Sequence, residues 1–175
     1  MRCGLTGLPT HRELDPAQAS SHPLALFIDI DGFIWLNDHY GFLAGDQAIV
    51  GVAEAIKLTV SGFSDATVSR VGGEEFLVLL PGMDFVEVNR LARSIVSSVK
   101  ALAIEYPRRD DSDATMLNVN AVIFRAAPEM ITVGPTDNKL PIWKWMSALV
   151  YEAKCNSGQK AGVVVDAHEA VWRPQ

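Results

Sequence analysis

Apolar and polar positions follow two kinds of pattern along this chain. The run Leu24–Ile30 is apolar almost throughout rather than alternating, which predicts a strand at the centre of a sheet. Beyond Asp46, apolar residues recur at the spacing of one helix face, at Ile49, Val52, Ala53, Ile56 and Val60. The apolar runs at 66–71 and 76–80 flank Gly72-Gly73 and predict a hairpin, because glycine tolerates the positive φ of a tight turn.

The second half of the chain continues the alternation of strand and helix patterns. Residues 84–105 predict an amphipathic helix with four inward side chains, Leu91, Ile95, Val99 and Leu102. The later elements are predicted as a strand at 117–124, a loop at 128–139, a helix at 141–154 and a strand at 162–166. Residues 1–23 form an irregular lead-in with several Gly and Pro residues, and residues 167–175 form a C-terminal tail.

This order of elements predicts an α/β (α+β) fold in which one sheet is covered by helices. The chain has 175 residues and 49% hydrophobic content, which is enough for the core of one domain. We therefore expect residues 1–175 to form a single domain. A crossover helix between the first strand and the hairpin would place Asp29 beside Glu74.

Composition and charge narrow the functional classes. The net charge of −6 argues against a nucleic-acid duplex as partner, since binding to a phosphate backbone needs a basic surface. No apolar stretch has the length of a membrane span, and the first residues lack a signal-peptide pattern. Cys3 and Cys155 are too few for a disulfide framework. These features predict a cytoplasmic protein that is not embedded in a membrane.

Two acidic clusters carry the candidate chemistry. The first strand ends in Asp29-Ile30-Asp31-Gly32-Phe33, and the hairpin carries Gly72-Gly73-Glu74-Glu75-Phe76. Each cluster alone also suits an ordinary turn, because Asp-Gly and Gly-Gly are common turn pairs. Together they favour a metal site, since Mg²⁺ is usually bound by one or two carboxylates together with substrate phosphates.

Several ordered motifs resemble the GGDEF family of diguanylate cyclases. They are Leu5–Pro9, Phe27–Phe33, Asn37-Asp38, Gly41, Gly45-Asp46 and Arg70–Phe76. The resemblance covers nearly the whole chain and is strongest from Leu5 to Pro81. It implies a palm-like nucleotide cyclase fold, with a central, mostly antiparallel sheet of about five strands flanked by helices. It also implies condensation of two GTP molecules into cyclic di-GMP and pyrophosphate across a homodimer, with two Mg²⁺ or Mn²⁺ ions per active site.

The resemblance assigns metal-binding and catalytic residues. Asp29 and Glu74 would supply carboxylates to the metal, and Ile30 would supply its backbone carbonyl oxygen. Glu75 would have a supporting catalytic role, because successive side chains of a strand point to opposite faces and Glu75 would point away from Glu74. The alternative role of Asp29 is to cap the turn at the end of the strand.

The resemblance also assigns phosphate contacts. The backbone amides of Gly32 and Phe33 could donate hydrogen bonds to phosphate oxygens. Lys154 matches a phosphate-binding lysine, and Lys160 could add a point charge nearby. Both lysines could instead lie at a solvated helix end, where cations interact favourably with the helix dipole.

Guanine recognition is assigned to Asn37 and Asp46. Asn37 can donate to the O6 atom of guanine, and Asp46 can accept from N1 and N2. Asp46 also suits the N-cap of the helix that follows it, and both roles can hold together. A carboxylate at this place favours GTP over ATP.

Two of the positions that depart from the family pattern are expected to contact phosphate. Ile34 stands where the family usually has Lys, and Gln159 stands where Arg is usual. Lysine at 160 cannot reproduce the planar fork of arginine. The sequence therefore predicts a diguanylate cyclase, a nucleotidyltransferase, whose activity is reduced by these substitutions. The alternative is a degenerate GTP-binding domain that regulates a partner with little or no cyclase activity.

Overall fold

The computed structural model describes residues 2–21, 23–107, 114–128, 142–157 and 161–169. The strands are β1 (Leu24–Ile30), β2 (Thr67–Arg70), β3 (Glu75–Leu80), β4 (Glu105–Pro107), β5 (Ala114–Met116), β6 (Val119–Arg125) and β7 (Val164–Asp166). The helices are α1 (Phe33–Tyr40), α2 (Phe42–Val60), α3 (Phe85–Lys100) and α4 (Ile142–Ser157). None of these four helices is long and apolar enough to cross a lipid bilayer.

The main sheet has five strands in the order β2-β3-β1-β6-β7. All neighbouring strands are antiparallel except β6 and β7, which are parallel. Strand β1 occupies the centre, and its apolar residues are buried on both faces, as its continuous apolar run predicts. The predicted fold class, a helix-flanked and mostly antiparallel sheet of about five strands, is confirmed.

Alternate residues of β1 face two separate hydrophobic cores. Leu26 and Ile28 pack with residues of α2 and α3 on one side of the sheet. Phe27 packs with Met146 and Val150 of α4 on the other side. Because side chains alternate along a strand, Asp29 belongs to the face that α4 covers.

The first predicted helix is wrong at its start. The chain already forms α1 after β1, turns at Gly41, and begins α2 at Phe42. Gly41 has φ of 83°, a positive value that suits glycine, and it separates the two helices. Asp46 consequently lies inside α2, and its interpretation as an N-cap is wrong because Gly41 holds that position.

The second predicted helix is also too long. Helix α3 ends at Lys100, and Ala103 has φ of 52°, so the chain leaves the helical conformation before residue 105. Of the four predicted inward residues, Leu91, Ile95 and Val99 are buried, whereas Leu102 is 37% exposed. The short β4–β5 sheet follows this break and was not predicted.

The N-terminal lead-in contains two short 3₁₀ turns, at His11–Glu13 and Pro16–Ala19. It packs Leu8 and Leu14 into the two cores. Lys160 and Gln159 lie outside the described residues, as do residues 129–139 of the predicted loop and residues 170–175 of the predicted tail.

Candidate active site

The end of β1 lies against the start of β3. In the antiparallel register Asp29 is the direct partner of Glu75, and the N–H of Ile30 donates to the carbonyl of Glu74 at 3.3 Å. Directly opposed residues of an antiparallel pair project to the same face. The two acidic segments, far apart in sequence, therefore meet at one end of the central strand.

Electrostatic repulsion acts among the carboxylates at this end of the sheet. Burial raises the pKa of Asp29 to about 7, and the negative charges of Glu74 and Glu75 act in the same direction. Burial, followed by the charge of Glu74, also raises the pKa of Glu75. A divalent cation placed among these groups would relieve the repulsion.

The carboxylates at this end of the sheet suit one mode of metal binding and not another. In the described ranges, no group of three or more His, Cys, Asp or Glu side chains is arranged to hold a metal ion. Mg²⁺, however, usually binds through one or two carboxylates, with waters and substrate phosphates completing its shell. Asp29 and Glu74, with a backbone carbonyl such as that of Ile30, fit this mode of binding.

The hairpin turn at Gly72-Gly73-Glu74, named here the acidic turn, is tightly packed. The N–H groups of Val71 and Gly72 donate to the carbonyl of Glu75 at 2.9 and 3.3 Å. A β-carbon added at Gly72 would overlap the Oε2 atom of Glu75. Glycine at 72 is therefore required for the Glu75 side chain to lie across the turn.

Arg70 fixes the acidic turn from outside. Its Nε donates to the carbonyl of Gly73 at 3.0 Å, and its Nη2 donates to the same oxygen. Its Nη1 donates to the Cys3 sulfur at 3.1 Å, and its backbone N–H donates to Pro9 at 2.9 Å. One side chain thus joins the N-terminal segment to the acidic turn.

The strand-end turn, Asp31-Gly32, leads from β1 into α1. Gly32 has φ of 68°, and a β-carbon there would overlap the hydroxyl of Tyr106. That hydroxyl, on a fully buried side chain, donates to the carbonyl of Asp31 at 3.2 Å. Helix α1 begins at Phe33, so the first N–H groups of the helix follow the turn directly.

Asp31 and Lys154 form an ion pair beside this turn. The Lys154 ammonium donates to Oδ1 of Asp31, and Asn120 donates to the same oxygen at 3.4 Å. Asp31 is 5% exposed, and Asn120 is fully buried. Lys154 therefore lies near the predicted phosphate site, but its described partner is Asp31.

Sequence reasoning gave no role to Asp31 or Asn120. The Asp-x-Asp spacing was a signal for Asp31, because residues two apart at the end of a strand project to the same face. Asn120 had no comparable signal, since its contact arises from the β1–β6 register, in which it faces Asp29.

The predicted guanine-reading residues lie at the junction of α1 and α2. Asn37 packs against Gly45, where an added β-carbon would overlap Oδ1 of Asn37 and lie 3.1 Å from the Phe33 ring. Within the described part of the chain, Oδ1 of Asn37 is buried with no hydrogen-bond partner. Asp46, the next residue after Gly45, is exposed on α2. The structure thus brings Asn37 close to the backbone that carries Asp46, and Phe33 lies between this junction and the strand-end turn.

The family model described as "Diguanylate cyclase, GGDEF domain" matches residues 5–132 of the chain. The chain belongs to the GGDEF family. The match includes both acidic segments and the α1–α2 junction, whereas Lys154 lies beyond it. The assignment of all 175 residues to one catalytic domain stays a prediction.

Curated relatives of this GGDEF protein include diguanylate cyclases. It is 31% identical over 179 residues to the diguanylate cyclase DgcZ of Escherichia coli, covering 97% of this chain and 55% of DgcZ. It is 32% identical over 151 residues to the probable diguanylate cyclase DgcT of the same species, covering 86% of this chain and 31% of DgcT. The chain therefore spans about a third to a half of the length of these two relatives.

Solved GGDEF domains share the fold. The GGDEF domain of DgcB from Caulobacter crescentus, solved in complex with c-di-GMP, superposes with a TM-score of 0.68 at 21% identity, over 95% of this chain and 92% of that chain. The GGDEF domain of TpbB (YfiN) from Pseudomonas aeruginosa gives a TM-score of 0.66 at 23% identity, over 96% and 95% of the two chains. At these identities the likeness establishes the fold alone.

Proposed function

We propose that this GGDEF domain is a diguanylate cyclase that joins two GTP molecules into cyclic di-GMP and releases pyrophosphate. The observation that carries the proposal is the pairing of the β1 end with the acidic turn, which gathers Asp29, Glu74 and Glu75 at one place. Membership of a family described as diguanylate cyclases supports the same reaction.

In this proposal Asp29, Glu74 and the carbonyl of Ile30 hold Mg²⁺ or Mn²⁺, two ions per site. When bound, such ions lower the pKa of an attacking hydroxyl and neutralise charge on the leaving pyrophosphate. Glu75 lies across Gly72 and opposite Asp29, so its contribution is to set the shape and charge of the acidic turn.

The triphosphate is proposed to bind at the strand-end turn. Gly32 is the N-cap of α1 and Phe33 is its first residue, so their backbone amides lie at the helix N-terminus, where the N–H groups and the helix dipole favour anions. Lys154 lies beside the same turn through its pair with Asp31 and adds a positive charge. Lys160 is proposed as a further phosphate contact.

The guanine base is proposed to bind at the α1–α2 junction. Asn37 would donate to O6, and Asp46 would accept from N1 and N2. Support comes from the exposed carboxylate of Asp46 and from the close packing of Asn37 against Gly45, the residue before Asp46. A carboxylate here disfavours adenine, whose N1 is an acceptor.

The reaction needs two copies of the chain. Each 3′-oxygen attacks the α-phosphorus of the other GTP, two phosphodiester bonds form, and two pyrophosphates leave. Because each proposed site holds one GTP, two domains must face each other. We therefore expect a homodimer during catalysis, with activity that rises more steeply than in proportion to protein concentration.

A second candidate function is a GTP-binding domain without turnover. It is favoured by Ile34, which is 66% exposed on α1 where the family usually has a phosphate-binding lysine. One missing donor to the transition state lowers the rate by about a hundredfold or more.

One experiment separates the two functions. Purified protein is incubated with GTP and Mg²⁺, and the products are analysed by mass spectrometry, with an ATP-only reaction as control. Cyclic di-GMP from GTP alone is the expected result. Saturable GTP binding with no product after long incubation would replace the cyclase by the regulatory domain, and absence of both product and binding would exclude both.

A further inference from the structure

On the basis of the proposed function, we infer that Asp31 is a positioning residue that holds the ammonium group of Lys154 beside the strand-end turn, ready for the triphosphate. Asp31 is neither a proposed metal ligand nor a proposed phosphate contact. As an anion next to a phosphate site it would weaken binding if it acted alone. We therefore expect Asp31 to affect substrate binding through the position of Lys154.

The contacts of Asp31 hold its carboxylate in place to pair with a cation. Its carboxylate is almost fully buried, and it accepts from both Lys154 and the buried amide of Asn120. Asn120 is held in turn, because its Oδ1 accepts from the N–H of Val163 at 3.2 Å. A buried carboxylate without such partners would be strongly destabilised.

The backbone of Asp31 is fixed as firmly as its side chain. Its N–H donates to the carbonyl of Asn118 at 2.9 Å, and its own carbonyl accepts from the buried Tyr106 hydroxyl. The oxygen that meets Lys154 therefore has a defined position relative to Gly32 and the start of α1. A lysine stem has many rotamers, so this partner decides where the charge lies.

The ammonium group also acts on the acidic end of β1. Its positive charge opposes the repulsion that Glu74 and Glu75 exert on Asp29. It therefore lies within electrostatic range of the proposed metal ligands as well as beside the strand-end turn. A cation that is already in place costs no reorganisation when substrate binds.

A purely structural ion pair between the strand-end turn and α4 is the competing explanation. Both explanations predict lower thermal stability when either partner is removed, because a buried Asp31 or a partly buried Lys154 is left without its counter-charge. The two explanations predict different effects on nucleotide binding. Loss of the Asp31 charge should tighten triphosphate binding if Asp31 only repels phosphate, and should weaken it if Asp31 positions Lys154.

The test measures binding of a GTP analogue with a methylene group between the α- and β-phosphorus atoms, in Mg²⁺, by calorimetry. Wild type, Asp31→Asn, Lys154→Met and the double variant are compared, with Asp65→Asn, an exposed turn residue, as a matched control. We expect Asp31→Asn and Lys154→Met each to weaken binding by about ten- to a hundredfold, as for loss of a charged hydrogen bond. The double variant should bind no more weakly than Lys154→Met alone, and Asp65→Asn should match wild type.

Three results would overturn the positioning role: unchanged or tighter binding by Asp31→Asn, additive losses in the double variant, or an effect of equal size from Asp65→Asn. If the wild type itself does not bind the analogue, the proposed function fails first. Should Asp31→Asn not fold, the test moves to wild-type protein labelled with ¹⁵N-lysine, with the Lys154 signal identified by its loss in Lys154→Met. Its ammonium resonance should be protected from exchange and shift on saturation with the analogue, and an unshifted resonance would contradict the inference.

Discussion

Asp29 and Glu75 face each other directly across the β1–β3 ladder, two carboxylates in one cross-strand pair. Like charges in this arrangement destabilise a sheet, so the pair makes the folded state less stable than a neutral pair would. The burial of Asp29 adds to this effect. The end of the central strand thus has a built-in dependence on pH.

Stability in metal-free buffer should fall as pH rises. The pKa of Asp29 is about 7 in the folded chain, against about 3.9 for an ordinary Asp, because of burial and then of Glu74 and Glu75. Between these values the folded state binds more protons than the unfolded state, so the free energy of unfolding decreases with rising pH. At about 1.4 kcal/mol per pKa unit, the loss by pH 8 is on the order of 4 kcal/mol.

Urea denaturation of wild type and Asp29→Asn at pH 5 and pH 8 checks this expectation. Asp29→Asn should be the more stable protein at pH 8, and the difference should shrink at pH 5. An identical pH dependence of the two proteins would show that Asp29 does not titrate in this range.

Glu74→Gln keeps the shape of the acidic turn and removes one carboxylate. We expect turnover to fall by more than about a hundredfold, and metal-dependent GTP binding to weaken, because a proposed metal ligand is lost. The measurement is product formation together with the Mg²⁺ dependence of GTP binding. Glu105→Gln, an exposed position on β4, serves as the matched control. Full turnover by Glu74→Gln would remove Glu74 from the mechanism.

Gly45→Ala should damage guanine recognition through Asn37. The new methyl group would overlap Oδ1 of Asn37 and press on the Phe33 ring, so the amide must move. We expect GTP affinity to drop about tenfold. Gly51→Ala, in the same helix, meets only Leu102 at an ordinary 3.5 Å and should keep GTP affinity while stabilising the helix by about 0.5–1 kcal/mol. Equal GTP affinity in the two variants would argue against a base site at the α1–α2 junction.

Because α3 ends at Lys100, alanine substitutions at two apolar residues should differ in how much they destabilise the fold. Ile95 is fully buried, so Ile95→Ala should lower the free energy of unfolding by about 2–5 kcal/mol. Leu102 lies beyond the helix and is partly exposed, so Leu102→Ala should cost well under half as much. Chemical denaturation measures both. Equal losses in the free energy of unfolding would indicate that Leu102 is as buried as Ile95, as the longer predicted helix requires.

The centre of the fold was predictable because its signals are local. The apolar run of β1 and the Gly72-Gly73 turn each contain their whole pattern within a few residues, and both elements are found where predicted. Helix α1 and the first turn of α2 were not predicted, because Leu36 is the one buried residue of α1 and both Phe42 and Leu43 are exposed, so neither stretch shows the spacing of an apolar helix face. The β4 and β5 strands, of three residues each, are too short to show a period.

In the candidate site, too, the locally encoded features were predictable and the long-range contacts were not. Its acidic residues lie in short motifs and were predicted, and the sheet brings them together. The Asp31–Lys154 pair joins residues 123 positions apart and depends on how α4 packs against the sheet. The pattern of apolar residues along the chain cannot predict such a contact, because only tertiary packing brings the two residues together.

The guanidinium of Arg70 meets the sulfur of Cys3 and the carbonyl of Gly73 at the same time. Because one planar group makes both contacts, a displacement of the N-terminal segment is expected to reach the acidic turn through Arg70. A covalent change at the Cys3 sulfur would therefore alter a contact of Arg70, the side chain that also holds the acidic turn.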